Sequence, residues 1–180
     1  DQKEITKPIT KWQKLVLRPH EVPEAIHEAF RQAKSDRPGP VHFELPPETM
    51  VEREEVTLLE PAQIVRKVPA QATIDEAAKE IAAARKPVIY AGGGVARSDA
   101  EAELVAFAEV AQIAVITSAG GKGTMSERHP LALGGSLGPT GLLKNYMEDA
   151  DLIIGIGTRF SMRNQAGDDA RLVHIDADPE

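Results

Sequence analysis

The chain has 180 residues, 42% of them hydrophobic and 27% charged, enough apolar material for one domain or a domain plus a fragment. A net charge of −7 with no basic stripe argues against a nucleic-acid partner, no apolar run reaches the ~18 residues of a membrane helix, and residues 1–14 do not read as a signal peptide. The absence of cysteine excludes disulfides, thiolate-bound zinc and a thiol nucleophile, and it suits a cytoplasmic location. With only 4% aromatic residues, the core must come from Ala, Val, Ile and Leu, as suits helices packed on a parallel sheet.

Residues 1–18 are polar with scattered Lys, Ile and Val and read as a loop. Val22, Ala25, Ile26, Ala29, Phe30 and Ala33 then follow at helical spacing, predicting an amphipathic helix over 21–35 that Arg37-Pro38-Gly39-Pro40 stops. Residues 41–45 read as a short strand ended by Pro46-Pro47. Residues 47–70 are rich in Glu and Pro without a sustained period and read as a linker, the alternative being a long surface loop within one domain.

A βα rhythm begins after it. Thr73-Ile74-Asp75-Glu76 has the pattern of a capping box, and Ile74, Ala77, Ala78 and Ile81 follow on one helix face. Residues 87–91 predict a buried strand, Gly92-Gly93-Gly94 a turn, and Ser98-Asp99-Ala100-Glu101 a second capping box before a helix lined by Leu104, Val105, Ala108 and Ala111. Residues 113–117 predict the next strand, 118–136 an irregular Gly-rich stretch and 140–148 a helix; 151–156 and 172–176 predict the last strands. Strands alternating with helices make βαβ units, and right-handed crossovers turn these into an α/β fold: an open parallel sheet with helices on both faces, preceded by a helix-strand fragment.

Ligands of such sheets sit beyond the carboxyl ends of the strands. The residues that follow the predicted strands are Gly92, Gly93 and Gly94; Thr117 and Ser118, then Gly120, Gly121, Lys122 and Gly123; Gly157, Arg159 and Arg163; and Asp176 and Asp178. Glycines let a ligand approach the backbone, a pair of arginines can grip a diphosphate, and an acid at a strand end can accept from ribose hydroxyls. Together these are the parts of a dinucleotide site. Taken singly, each also fits a purely structural role: the glycine run lacks the third Gly of the G-x-G-x-x-G fingerprint, and Gly120-Gly121-Lys122-Gly123 is not a P-loop. His20, His27, His42, His129 and His174 show no metal-ligand spacing, so no metal site and no catalytic residue is assigned.

Four strings stand in order along the chain: 86–95 (KPVIYAGGGV), Lys122-Gly123 with His129-Pro130-Leu131 and Gly134, 150–160 (ADLIIGIGTRF), and the ending 173–180 (VHIDADPE). Together they resemble one family, the thiamine-diphosphate enzymes of the acetolactate synthase kind. Upstream, 6–12 (TKPITKW) and 37–46 (RPGPVHFELP) resemble the last part of the family's pyrimidine-binding domain. The resemblance implies that residues 1–46 are the C-terminal fragment of that domain, 47–70 a linker, and 71–180 a Rossmann-like central domain. It implies a homo-oligomeric parent in which the remaining domains hold thiamine diphosphate and Mg²⁺ and act on 2-oxo acids, with this chain a catalytically incomplete piece. In acetolactate synthases the central domain binds FAD, and the carry-over falls on Gly92, Gly93, Gly94, Thr117, Ser118, Gly157, Arg159, Arg163 and Asp176. Ser161 and Met162 stand where the synthase pattern has two acids, so FAD, ADP or an empty site, with the domain as a spacer, all remain open.

Overall fold

The structure is a computed structural model; it describes residues 1–65, 67–135, 141–160 and 169–177. It divides into two compact units, Asp1–Val68 and Pro69–Glu180.

The first unit begins with α1 (Gln2–Thr6), whose start is capped by the Asp1 carboxylate accepting from the N–H groups of Lys3 and Glu4. Strand β1 (Trp12–Leu15), helix α2 (Val22–Lys34) and strand β2 (Val41–Glu44) follow. β1 and β2 pair in parallel, with Trp12 opposite Val41 and Leu15 opposite Glu44, so the unit is a βαβ crossover. This corrects two expectations: residues 1–18 are not simply a loop, and the leading piece is strand–helix–strand. Trp-Gln-Lys-Leu is too short and too polar for a two-residue period to register. Its backbone is recruited by β2, with the Lys11 N–H donating to Pro40 O at 2.8 Å and the Val16 N–H to Glu44 O at 3.0 Å. Val16 and, on α2, Ala25 and Ala29 are buried. A short α3 (Pro47–Val51) opens the stretch expected to be a linker, and its buried Thr49 donates its hydroxyl to Leu17 O at 3.1 Å. Residues 52–65 then form neither helix nor strand and are mostly exposed.

The second unit is an all-parallel five-stranded sheet in the order β5-β4-β3-β6-β7, flanked by helices as the alternating pattern predicts. The elements are α4 (Gln71–Ala83), β3 (Pro87–Ala91), α5 (Gly93–Arg97), α6 (Glu101–Ala111), β4 (Val115–Thr117), β5 (Ala132–Gly135), α7 (Leu142–Glu148), β6 (Leu152–Ile156) and β7 (Arg171–Ile175). The central strands bury both faces. Ile89 and Ala91 of β3 with Leu152 and Ile154 of β6 meet Val95, Leu104 and Ala108 on one side. Val88, Tyr90, Ile116 and Ile153 meet Met147 and Ala150 on the other. Consecutive side chains of a strand point to opposite faces, so an unbroken apolar run is what a sheet covered on both sides requires.

Neither expected capping box forms. α4 starts two residues before Thr73, behind Ala70, and α6 starts behind Ala100. Neither has a side-chain cap at its start; tertiary packing sets these ends. α6 stops at Gln112, which adopts the left-handed conformation (φ 54°, ψ 43°) and returns its N–H to Ala108 O. β5 is a further correction, a strand inside the stretch expected to be irregular. Ala-Leu-Gly-Gly carries no β-branched residue, and it pairs with β4 across a register shift between Val115 and Ile116. Asp151, just before β6, accepts the N–H groups of Arg85 and Lys86 at 2.8 Å each and so ties the entry of β3 to the entry of β6.

Candidate functional site

After β3 the chain builds β4 and β5 on one side, then crosses to β6 on the other side of β3. β3 and β6 therefore flank the switch point, where an open α/β sheet leaves a crevice beyond its carboxyl ends.

The turns leaving those two strands are pressed together. The Gly92 N–H donates to Ile156 O at 2.8 Å and the Gly94 N–H to Gly157 O at 2.9 Å. A Cβ at Gly92 would lie 2.2 Å from Gly157 O, and one at Gly94 would lie 2.5 Å from Gly157 Cα. Gly157 itself has φ +58°, where a side chain is strained. Only glycine at these three places lets the two turns touch. Gly93 meets the loop after β4 in the same way: its Cβ would fall 2.7 Å from Gly120 O.

Thr117 ends β4 and is buried, with its hydroxyl 3.4 Å from Gly134 O. Ser118 follows; its N–H donates to Ala91 O at 2.8 Å and its Oγ accepts the Gly121 N–H at 3.1 Å, capping a short 3-10 turn at Ala119–Gly121. Thr158 is buried beside Gly157, and Arg159 is exposed immediately after it. Asp176 stands at the end of β7, its carboxylate 3.7 Å from His174 Nε2. The Gly157 N–H reaches Ile175 O at 2.8 Å and links the ends of β6 and β7. Gly92, Gly93, Gly94, Thr117, Ser118, Gly157, Arg159 and Asp176 thus lie along the carboxyl ends of four adjacent strands of one parallel sheet. Arg163 lies outside the described residues.

Residues outside that set also shape this rim. Gly121 packs against β3, where a Cβ would fall 2.3 Å from Ala91 O. Phe160 folds back over Gly155, and His174 bonds Thr158 O at 2.8 Å. The glycine string 120–121 was visible, but its contact is set by distance in space and no local spacing encodes it. Burial pushes the nearby Tyr90 hydroxyl above its ordinary value, as befits a ring lying in the core.

The hydrogen-bond ledger limits what the crevice can hold. The N–H groups of Gly92, Gly94, Val95 and Gly157 are all spent on protein carbonyls. A diphosphate cradled by those four amides therefore fits poorly. A nucleotide gripped by side chains fits better, with the exposed Arg159 as cation and the Ser118 hydroxyl still able to donate its proton. Among the described residues there is no group of three or more His, Cys, Asp or Glu that could hold a metal ion, and no helix is long and apolar enough to cross a membrane.

Residues 74–180 match the sequence profile described as the thiamine pyrophosphate enzyme central domain. Over 99% of its length the chain is 39% identical to the acetolactate synthase large subunit of Corynebacterium glutamicum, of which it covers 30%. Over 96% of its length it is 41% identical to the probable acetolactate synthase large subunit of Methanocaldococcus jannaschii, covering 31% of that protein. Among solved structures, the benzoylformate decarboxylase of Polynucleobacter necessarius matches with a TM-score of 0.81 at 26% identity, over 99% of this chain and 35% of that one. The chain thus spans about a third of the length of these relatives. With its doubly wound sheet and a profile match over most of that sheet's own unit, the chain belongs to the thiamine pyrophosphate enzymes and carries their central domain.

Proposed function

We propose that this chain serves an acetolactate synthase-like carboligase or decarboxylase of 2-oxo acids by supplying an adenine-nucleotide site, for FAD or ADP, at the switch-point crevice. The observation that carries this reading is the gathering of Arg159, Ser118 and Asp176 along one rim of the sheet beside β3 and β6. In this reading Arg159 and Arg163 neutralise the diphosphate, Ser118 and Thr117 line its path, Asp176 accepts from ribose, and Gly92, Gly93, Gly94 and Gly157 keep the two turns close enough for the crevice to exist. Residues 1–46 belong to the preceding pyrimidine-binding domain, 47–70 link it, and 71–180 are the central domain. The parent is a cytoplasmic homo-oligomer whose remaining domains bind thiamine diphosphate and Mg²⁺. No catalytic residue lies in this chain, so the chain alone turns over no pyruvate when given thiamine diphosphate and Mg²⁺; formation of acetolactate or acetaldehyde would refute that.

The test is the melting temperature of the chain with FAD or ADP. Ligand at 100 times its Kd adds about 2.7 kcal/mol of stability, a shift easily read on a unit of this size. Arg159→Ala abolishes the shift; a shift that survives this change removes Arg159 from the grip. A second reading, a spacer that binds no nucleotide and fixes the outer domains, draws support from the same glycines. The amides of Gly92, Gly94 and Gly157 are satisfied by the protein and the faces of these three glycines are closed by each other. No shift with any adenine nucleotide selects the spacer.

A further inference from the structure

Arg159 stands between two residues that are held unusually firmly. Phe160 adopts the left-handed conformation (φ +50°), a strained setting for a bulky residue that persists only where the surroundings enforce it. The enforcement is visible. The Phe160 ring lies directly on Gly155 of β6, so that a Cβ there would come within 2.0 Å of ring atoms Cε2 and Cζ. The ring packs against Tyr90 with centroids 6.0 Å apart, and edge-on against His174 at 5.3 Å. On the other side of Arg159, Thr158 is tied twice: its Oγ1 accepts the Phe160 N–H at 3.3 Å, and its carbonyl takes a bond from His174 Nε2 at 2.8 Å. A carbonyl only accepts, so Nε2 carries the proton, which sets the ring tautomer.

We propose that Gly155, Phe160 and His174 form a clasp that fixes the Thr158–Phe160 backbone and thereby holds Arg159 at the crevice. Gly155 is the socket, Phe160 the plug and His174 the tether, and all three are positioning residues. A free arginine loses its own conformational freedom on gripping an anion, whereas one whose backbone is pinned beforehand loses less. The consequence for nucleotide affinity rests on the reading above; the clasp itself does not.

Trypsin tests it on the intact chain, because cleavage after Arg159 requires the segment to leave the clasp. Fragments ending at Arg159 are quantified by mass spectrometry under native conditions. The expected result is slow cleavage in the unmodified chain and at least ten-fold faster cleavage in Gly155→Ala, where the new methyl expels the ring. His174→Ala accelerates it likewise, and His174→Gln, which keeps an amide donor for Thr158 O, restores slow cleavage. The His174 pair carries the test should Gly155→Ala fail to fold. A folded Gly155→Ala cut at the unmodified rate overturns the clasp, as do His174→Ala and His174→Gln that behave alike. In parallel, ADP binds Gly155→Ala at least ten-fold more weakly than the unmodified chain. If the unmodified chain binds neither ADP nor FAD, the nucleotide reading falls while the cleavage comparison still decides the clasp.

Discussion

The same βαβ theme appears in both units with opposite outcomes. In Asp1–Val68 it occurs once: among the described residues of this unit only Val16, Ala25, Ala29 and Thr49 are buried, and every residue of β1 and β2 stays half-buried. Ile26 and Phe30, one turn apart on α2, remain exposed. In Pro69–Glu180 the theme is repeated until β3 and β6 have neighbours on both edges and cover on both faces. The lesson concerns surface. A single crossover closes one face of a narrow sheet, and only repetition makes strands whose every side chain leaves water.

That contrast can be broken by mutation. Ile154 is fully buried at the centre of the five-stranded sheet, so Ile154→Ala costs about 3 kcal/mol in urea-induced unfolding followed by circular dichroism. Phe30 is equally large and apolar but 60% exposed, and Phe30→Ser changes stability by no more than about 0.5 kcal/mol. Equal losses would dissolve the distinction between the units.

Acid sharpens it next. The backbone N–H groups of Arg85 and Lys86 hold the Asp151 carboxyl below its ordinary value of 3.8. A carboxyl with a depressed folded value stabilises the fold at pH above its unfolded value, and that contribution fades as pH falls through the folded value. The second unit therefore loses stability below about pH 4, where the unfolded chain starts to take up the proton. Asp151→Asn lowers the melting temperature at pH 7, and the gap to the unmodified chain narrows in acid; a pH-independent gap would show that the carboxylate's charge plays no part.

The smallest effect belongs to the first unit. Glu28 on α2, bonded to Arg31 and Gln32, has its carboxyl lowered from 4.5 to about 2. The group is at the surface and screened by water, so Glu28→Gln costs under about 0.5 kcal/mol despite the large displacement. The contribution is present above the unfolded value and fades as pH falls towards 2. A loss above about 1 kcal/mol at pH 7 would contradict this screening argument.

Much of this architecture was legible because it rests on periodicity. The run Val88-Ile89-Tyr90-Ala91 and the run Leu152-Ile153-Ile154 are what two-sided burial demands, and the helical spacing marks α2, although of its stripe Ala25 and Ala29 are buried while Ile26 and Phe30 stay exposed. The capping patterns at Thr73 and Ser98 do not start their helices, because a local motif worth about 1 kcal/mol yields where packing favours another start. β1 and β5 were illegible because their pairing partners, not their own residues, make them strands. At the candidate site the positions were readable and their employment was not. Gly92, Gly94 and Gly157 look like a landing place for phosphate, yet they meet one another across the switch point. Nothing in the spacing of Gly155, Phe160 and His174 announces that a ring will sit on a glycine beneath a histidine.

The most direct measurement of the central claim is a crystal of this chain grown with ADP. The account predicts diphosphate density beyond the carboxyl ends of β3 and β6, within hydrogen-bond reach of the Arg159 guanidinium. ADP bound on another face of the sheet, or a diphosphate resting on the glycine amides with Arg159 turned away, would contradict it.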